Sequence, residues 1–468
     1  MVRTGSARKP AVHSKAPPSL MNTDDRRAQG KALRDKVSRD AHAAWHAPAN
    51  RTDPIAILRA ADATRQHDLV PLRYGRMLQS PFTFYRGSAA VMAADLAHTP
   101  VTGIHVQACG DCHLMNFGGF ATPERRLIFD INDLDETLPA PWEWDVKRLV
   151  ASFVLAARSI GLSDKDGRDA AVACARSYRA QMRAFTEMDV LEIWYSRFDE
   201  KDMLAMLPED RRETVKKRIA KATSTASSEL VYPKLVEVNG NQPRIHDSPP
   251  IIFHPDKSTG AGNMDLLKKA LAQYRETLAE DRRALLDRYQ LVDAAIKVVG
   301  IGSVGTLCMV ALLMSIADHP LFLQVKEANA SVLEPYAGKS AFPHHGQRVV
   351  MGQRLMQPAS DIFLGWVTGQ KGRNFYVRQL RDVKLSPLVE TFDVGMLALY
   401  GKACGWVLAR VHAKAGDPWA ISGYLGKGND FDEAMGKFAL AYADQAERDH
   451  AVLKAAVAAG TVKVELER

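Results

Sequence analysis

The stretch CGDCHLMNFG, residues 109–118, sets Asp111, His113 and Asn116 in one short loop with glycines before and after. An Asp followed five residues later by an Asn, on a tight loop between strands, suits phosphoryl transfer. The Asp takes the hydroxyl proton of an acceptor, and the Asn side-chain oxygen holds a magnesium ion. A second metal ligand then belongs on the next apolar strand. Leu127, Ile128 and Phe129 read as that strand, and Asp130 ends it, fourteen residues after Asn116. Asp133, Asp135 and Glu136 follow. Four acids in seven positions favour a divalent cation, so Asn116, Asp130 and Asp133 are the candidate metal ligands. Asp135 and Glu136 read equally well as a solvated acidic turn.

Two other readings compete for the loop. Cys109, Cys112 and His113 spell C-x-x-C-H, the covalent haem signature. That chemistry requires export, and residues 1–20 contain no apolar run of the kind a signal peptide carries. It also gives Asp111, Asn116 and Asp130 nothing to do. The plainer reading is a polar turn with a buried His113 bonded to backbone.

The second constellation lies at 296–330. Ile296–Val299 reads as a strand, then Gly300, Gly302 and Gly305 make a G-x-G-x-x-G turn that includes Ser303. LFLQVKEA follows as another strand carrying Lys326. In a phosphotransferase this is a hairpin whose backbone covers the nucleotide phosphates, with Lys326 holding them from the next strand. In a dinucleotide-binding fold, Thr306–Met314 would be a helix behind the glycines and Glu327 the ribose-binding acid. The runs 361–367 and 374–380 read as two strands joined by a turn, which favours the hairpin lobe. Earlier, Arg73 and Arg76 read as solvent-facing charge. Arg86, between an aromatic cluster and a helix start, reads either as a phosphate contact or as packed charge.

Composition bounds these readings. With 468 residues, 46% hydrophobic and 25% charged, the chain matches an ordinary globular protein of two or three domains. Five cysteines, odd in number and scattered, point to a reducing cytoplasm. The apolar run Thr306–Ile316 is too short to span a membrane. The net charge of +8 is dispersed, which suits an anionic nucleotide and gives no stripe for nucleic acid. Residues 1–28 read as a disordered tail, 29–290 as a mostly helical catalytic lobe broken by a loop-like stretch at 222–262, 291–390 as a small β-rich lobe, and 391–468 as returning helices.

The pattern GD-x-H-x-x-N, then apolar strand, then Asp resembles the aminoglycoside and choline kinase branch, whose loop reads H-G-D-x-H-x-x-N; Cys109 stands here in place of its first His. The helix at 393–413 resembles the one that immediately precedes that loop in those enzymes, yet no such loop follows it. Asp145 resembles the Asp that braces the catalytic loop. The resemblance implies an α+β, protein-kinase-like two-lobe fold, circularly permuted so that the catalytic loop precedes the glycine-loop lobe. The stretches SPFTFYRG, CGDCHLMNFG, FDINDLDETLPAPWEWDVKRL, VGIGSVGT, LFLQVKEA and GQRLMQPASDIFLGW are similar to a bacterial family known only as domain of unknown function 2252. That family implies a remote kinase-like fold and names no substrate.

The expected function is an ATP- and magnesium-dependent phosphotransferase acting on a small hydroxyl-bearing molecule. Asp111, His113 and Asn116 form its catalytic loop, and Gly300, Gly302, Ser303, Gly305 and Lys326 form its phosphate clamp. The alternatives are a nucleotide-binding pseudokinase and an NAD-binding oxidoreductase. The permuted arrangement requires Lys326 and Asp130, far apart in sequence, to meet in one cleft under the glycine turn. Glu334 is the nearest helix-borne partner for Lys326, since Glu327 should face the other side of its strand.

Overall fold

The computed structural model describes residues 22–466 apart from 225–227, 240–241, 256–261, 299 and 381–383. It is a mixed α+β chain: a mostly helical body with several small antiparallel sheets.

The helix Trp142–Ser159 is the axis of the body. Residues Trp142 to Ala157 are all buried. A helix covered on every face can carry charge only where each charge has a partner. Thr102 N–H donates to Glu143 Oε1 (2.6 Å), and Lys147 Nζ donates to the Pro100 carbonyl (3.2 Å). The helices Asp164–Phe185, Val394–Ala415 and Asp430–Ala458 pack around it. Gly405 lets two of these helices approach closely, because a Cβ there would stand 2.2 Å from the Cys174 carbonyl. By length and composition Val394–Ala415 is apolar enough to cross a membrane, and half of its most apolar window is buried against the rest of the body.

Strands β1 (His105–Ala108) and, further on, β4 (Leu138–Pro141) pair antiparallel. Between them β2 (Phe117–Ala121) and β3 (Leu127–Ile131) form a hairpin, and Lys384–Leu385 pairs with the outer side of β2. The loop 109–116 therefore hangs between two strand pairs, the β1–β4 pair packed on the central helix and β3 on the helix Val394–Ala415.

Next come the β5–β6 hairpin (Val236–Asn239, Gln242–Ile245) and a six-stranded sheet. The sheet comprises β7 (Ile252–Phe253), β8 (Tyr289–Lys297), β9 (Cys308–Ser315), β10 (Pro320–Glu327), β11 (Gly365–Thr368) and β12 (Asn374–Gln379). Its spatial order is β11-β12-β10-β9-β8-β7, antiparallel throughout. Strand parity divides its two faces. Leu321, Leu323, Phe375 and Val377 pack under the helices that carry Tyr274 and Leu286. Tyr376 lies on the opposite face, packed with Val349 and Val350 of the helix His345–Met356.

Several expectations change. Thr306–Met314 is not a helix. Residues 308–315 are a strand bonded on both sides, so the glycine turn joins two antiparallel strands and the helix that a dinucleotide site needs is missing. The run TLCMVALLM has no polar face, so periodicity cannot separate a buried strand from a buried helix there. The expected tail 1–28 fails over its last residues: Thr23–Ala32 is a helix capped by Asn22 and packed on the helix Pro418–Leu425. Residues 1–21 lie outside the described residues. Much of the expected loop at 222–262 is the helix Ser228–Leu235 and strands β5 to β7. The change of core also comes before residue 291, since Tyr274, Leu278 and Leu286 already belong to the sheet's own cluster.

Candidate functional site

The loop is braced from the central helix by Asp145, Arg148 and Ser152, whose spacing of three and four places them on one helical face. Cys109 N–H donates to Asp145 Oδ2 (2.6 Å), Gly110 N–H to Asp145 Oδ1 (3.0 Å), and Leu114 N–H to Ser152 Oγ (3.0 Å). His412, on the Val394–Ala415 helix, stands 3.2 Å from Asp145 and 2.8 Å from Tyr178 Oη. Gly110 is required: its φ is +83°, and a Cβ would meet the Glu136 carbonyl at 2.4 Å.

Arg148 Nε donates to Asp111 Oδ1 (2.7 Å), and Arg148 Nη2 donates to the same oxygen. Burial works against the Arg148 charge, and Asp111 with Tyr85 more than offsets it. Oδ2 of Asp111 is left on the side of His113, whose Nε2 is 3.9 Å away. Burial holds His113 down at about 3, so this imidazole is neutral and cannot act as an acid at physiological pH. Asn116 Nδ2 donates to the Asp111 carbonyl (2.8 Å), which turns its amide oxygen the other way. Cys109 and Cys112 are sealed in the hydrophobic core, and Cys109 Sγ donates to the Asp133 carbonyl at 3.7 Å. Burial pushes the Cys112 thiol well up, and neither sulfur has space for a porphyrin.

The structure brings Lys326 to the body, but to a different carboxylate from the one expected. Lys326 Nζ donates to Asp135 Oδ2 (2.6 Å) and lies 3.8 Å from Asp133. Tyr376 Oη donates to the other oxygen of Asp135 (2.6 Å). Asp133 and Asp135 flank Leu134, which is buried, and both carboxylates face Lys326. That N-D-L-D alternation was the overlooked signal. Asp130 is corrected as a metal ligand. It is fully buried on strand β3 and takes two bonds from Arg410 Nη2 (2.9 and 2.7 Å) and one from Ile131 N–H (2.7 Å). It lines neither cavity described below. Glu334 is not the partner of Lys326 either; it faces His345 and the Ser331 amide.

Asp133, also expected as a metal ligand, is the acid that stands at both cavities. Its Oδ1 is buried with no hydrogen-bond partner, while about a third of the side chain (34%) opens to the cavities. Burial, and then the neighbouring Asp135 charge, raise it to about 6. Against the pull of burial, Lys326 holds Asp135 down at about 2. The orphaned Asp133 oxygen fits a cation. Among the described residues, no group of three or more His, Cys, Asp or Glu side chains could hold one alone. A metal here would rest on Asp133 and Asn116, completed by ligand oxygens.

Two cavities meet at this point. The first, about 800 Å³, is lined by Lys297, Gln324, Lys326, Arg378 and Leu380. The second, about 760 Å³, is lined by Arg65, Arg86, Asp111, His113, Asn116 and Asp135. Asp133, Gly300 and Ser303 line both. Gly300 and Gly305 have φ of +68° and +88°, as a tight turn between strands demands. The turn is tied to the N-terminal helices. Gln66 N–H donates to the Gly305 carbonyl (2.7 Å), Arg65 Nη1 to that of Val304 (2.6 Å), and Arg76 Nη1 to that of Gly300. Gly302 faces the Arg86 carbonyl. Arg73, expected in solvent, is buried and donates to Asp62 Oδ1 (2.9 Å) and to the Gly87 carbonyl (2.7 Å). Glu327, the expected ribose ligand of the dinucleotide reading, accepts from Leu307 N–H (2.9 Å) and so braces the end of the glycine turn.

Comparison with curated proteins and with solved structures finds no match. A family model described as an uncharacterized protein conserved in bacteria, DUF2252, matches residues 65–456, a span that starts at the arginine tied to the glycine turn and includes the first cavity and most of the lining of the second; the chain belongs to that family.

Proposed function

We propose that the protein is an ATP- and magnesium-dependent phosphotransferase with a permuted, kinase-like arrangement of its parts. The observation that carries this reading is the shared wall of the two cavities. A glycine turn and an unsatisfied carboxylate separate a basic cavity from one that holds an Asp and an Asn at catalytic-loop spacing. The turn joins the first two long strands of the sheet, and the lysine stands on the third, as phosphate recognition in kinases requires. The nucleotide belongs in the Lys326 cavity and the acceptor in the Asp111 cavity.

In the reaction the acceptor hydroxyl oxygen attacks the terminal phosphorus of ATP. The bond from that phosphorus to the bridging β-phosphate oxygen breaks, and ADP leaves on the Lys326 side. The hydroxyl proton passes to Asp111 Oδ2, because Oδ1 is occupied by Arg148. A magnesium ion held by Asp133 and Asn116 would neutralise charge on the phosphates. Lys326 keeps its charge throughout: burial opposes it, and Asp133 and Asp135 together more than offset burial.

Thermal shift against Mg-ATP and NAD tests the reading. Mg-ATP should stabilise the protein, ATP with chelator much less, and NAD not at all. Stabilisation by NAD alone would overturn it.

A pH dependence follows from Asp133. Its carboxyl keeps a proton to about 6 in the folded chain, against about 4 in an unfolded one. Ionising it therefore costs folded-state stability, and the metal-free protein should lose stability as pH rises from about 4 to about 6. Magnesium binds the ionised form, so its stabilising effect should appear as pH rises through that same window. Melting curves with and without millimolar magnesium check this; Asp133→Asn should abolish the magnesium trend and only weaken the other, to which Glu136, also raised to about 6 by burial, contributes. A magnesium effect that persists undiminished at pH 5 would exclude Asp133 as the ligand.

A further inference from the structure

We propose that the acceptor is an anionic hydroxyl compound whose carboxylate or phosphate end is gripped by Arg86. This deepens the phosphotransferase reading, from which it takes only the role of Asp111 as base. Arg86 ends the helix Pro81–Gly87 and lines the Asp111 cavity. Its guanidinium carbon lies 5.9 Å from the centre of the Phe82 ring, and its Nε is buried without a partner. Among the described residues it has no hydrogen-bonded or ion-paired neighbour.

The fully buried arginines, by contrast, are committed. Arg73 is held by Asp62, Arg148 by Asp111 and Arg410 by Asp130. Arg348 donates to the carbonyls of Thr137, Asp135 and Asn329. Arg65, in the same wall as Arg86, is spent on Asp62 and the Val304 carbonyl.

Apart from Asp133, whose Oδ1 has no hydrogen bond, the acids of the cavity are likewise engaged. Asp111 is bound to Arg148, and Asp135 to Lys326. Asp133 is 3.8 Å from the same lysine. Glu136 accepts from Val332 N–H (2.8 Å), and Glu327 from Leu307 N–H (2.9 Å). A half-buried guanidinium that feels only the Asp111 charge, itself bound to Arg148, is poorly compensated, and a ligand oxyanion removes that cost with two parallel N–H···O bonds. A neutral or cationic acceptor leaves Arg86 uncompensated. A hydroxy acid puts its acid end on Arg86 and its hydroxyl at Asp111, both within one cavity of about 760 Å³.

Titration calorimetry on the full chain without nucleotide, at constant ionic strength, tests this. The probes are glycerate, glycerol 3-phosphate and inorganic phosphate, with glycerol and choline as neutral and cationic controls. The anions should bind and the controls should not. Arg86→Met should weaken anion binding at least about tenfold, and Arg86→Lys should retain part of it. Because Arg86 has no ion pair to lose, Arg86→Met without ligand should melt no lower than the wild type. A preference for glycerate or for glycerol 3-phosphate identifies the acid end. The proposal is overturned if the anions bind no better than glycerol or choline, or if Arg86→Met binds them as the wild type does. Mg-ATP binding is measured in parallel. If it is absent while the anions still depend on Arg86, the phosphotransferase reading falls and the anion site stands; Mg-ATP binding without anion binding means the reverse.

Discussion

Asp111→Asn is expected to lower the rate of ADP formation from Mg-ATP by about 10²- to 10⁴-fold while leaving Mg-ATP binding nearly unchanged. That range is what a positioned general base contributes. The asparagine oxygen can still accept from Arg148, so the loop keeps its brace and the variant should fold. Asp111→Ala has no such acceptor. It would strand a buried guanidinium and should lose both activity and stability. Single-turnover kinetics with nucleotide titrations on both variants separate base from brace. If Asp111→Asn turns over at the wild-type rate, Asp111 is a structural partner of Arg148 and no base.

The second large effect concerns stability. Asp130→Ala should cost about 3–5 kcal/mol, the usual result of removing one member of a buried ion pair. Arg410 would be left fully buried with only the Met356 carbonyl on Nη1. Combining Asp130→Leu with Arg410→Met should recover much of that loss, since a buried pair replaced by packed apolar groups is often neutral. Asp133→Asn should do the opposite: it removes a carboxylate whose ionisation is disfavoured, keeps the fold, and abolishes the magnesium response. Denaturant titrations of the three proteins, with and without magnesium, decide the matter. An Asp130→Ala variant of normal stability that no longer responds to magnesium would restore Asp130 to the metal site.

These two carboxylates also show what could be read from the chain alone. The Asp111–Asn116 loop, its flanking strands and the brace from Asp145 lie within 42 positions of sequence, from 104 to 145, so local spacing exposed them. The glycine turn and the lysine strand were visible for the same reason. Asp130 was misjudged because its role depends on Arg410, 280 positions away, and on strand parity that sends its side chain into the core. Asp135 was undervalued because the lysine that needs it is 191 positions away. The β9 run was ambiguous until strands were seen on both of its sides. Arg86 was left open because nothing local tells a packed guanidinium from one facing a cavity.

One feature of the connectivity governs how the two cavities can open. Leu380 N–H is bonded to Phe322 on the six-stranded sheet, and Lys384 is already paired with Phe120 on the loop-bearing hairpin. The two bonded residues stand four positions apart in the chain. A link that short reaches roughly 14 Å even when fully extended. Any motion of the sheet on the body is therefore expected to pivot where Leu380 and Lys384 are bonded. Torque about that pivot would bear on the bonds that hold the glycine turn to Gln66, Arg65 and Arg76. Those three bonds work as a latch at the end of a lever, and nucleotide exchange should proceed no faster than the latch releases.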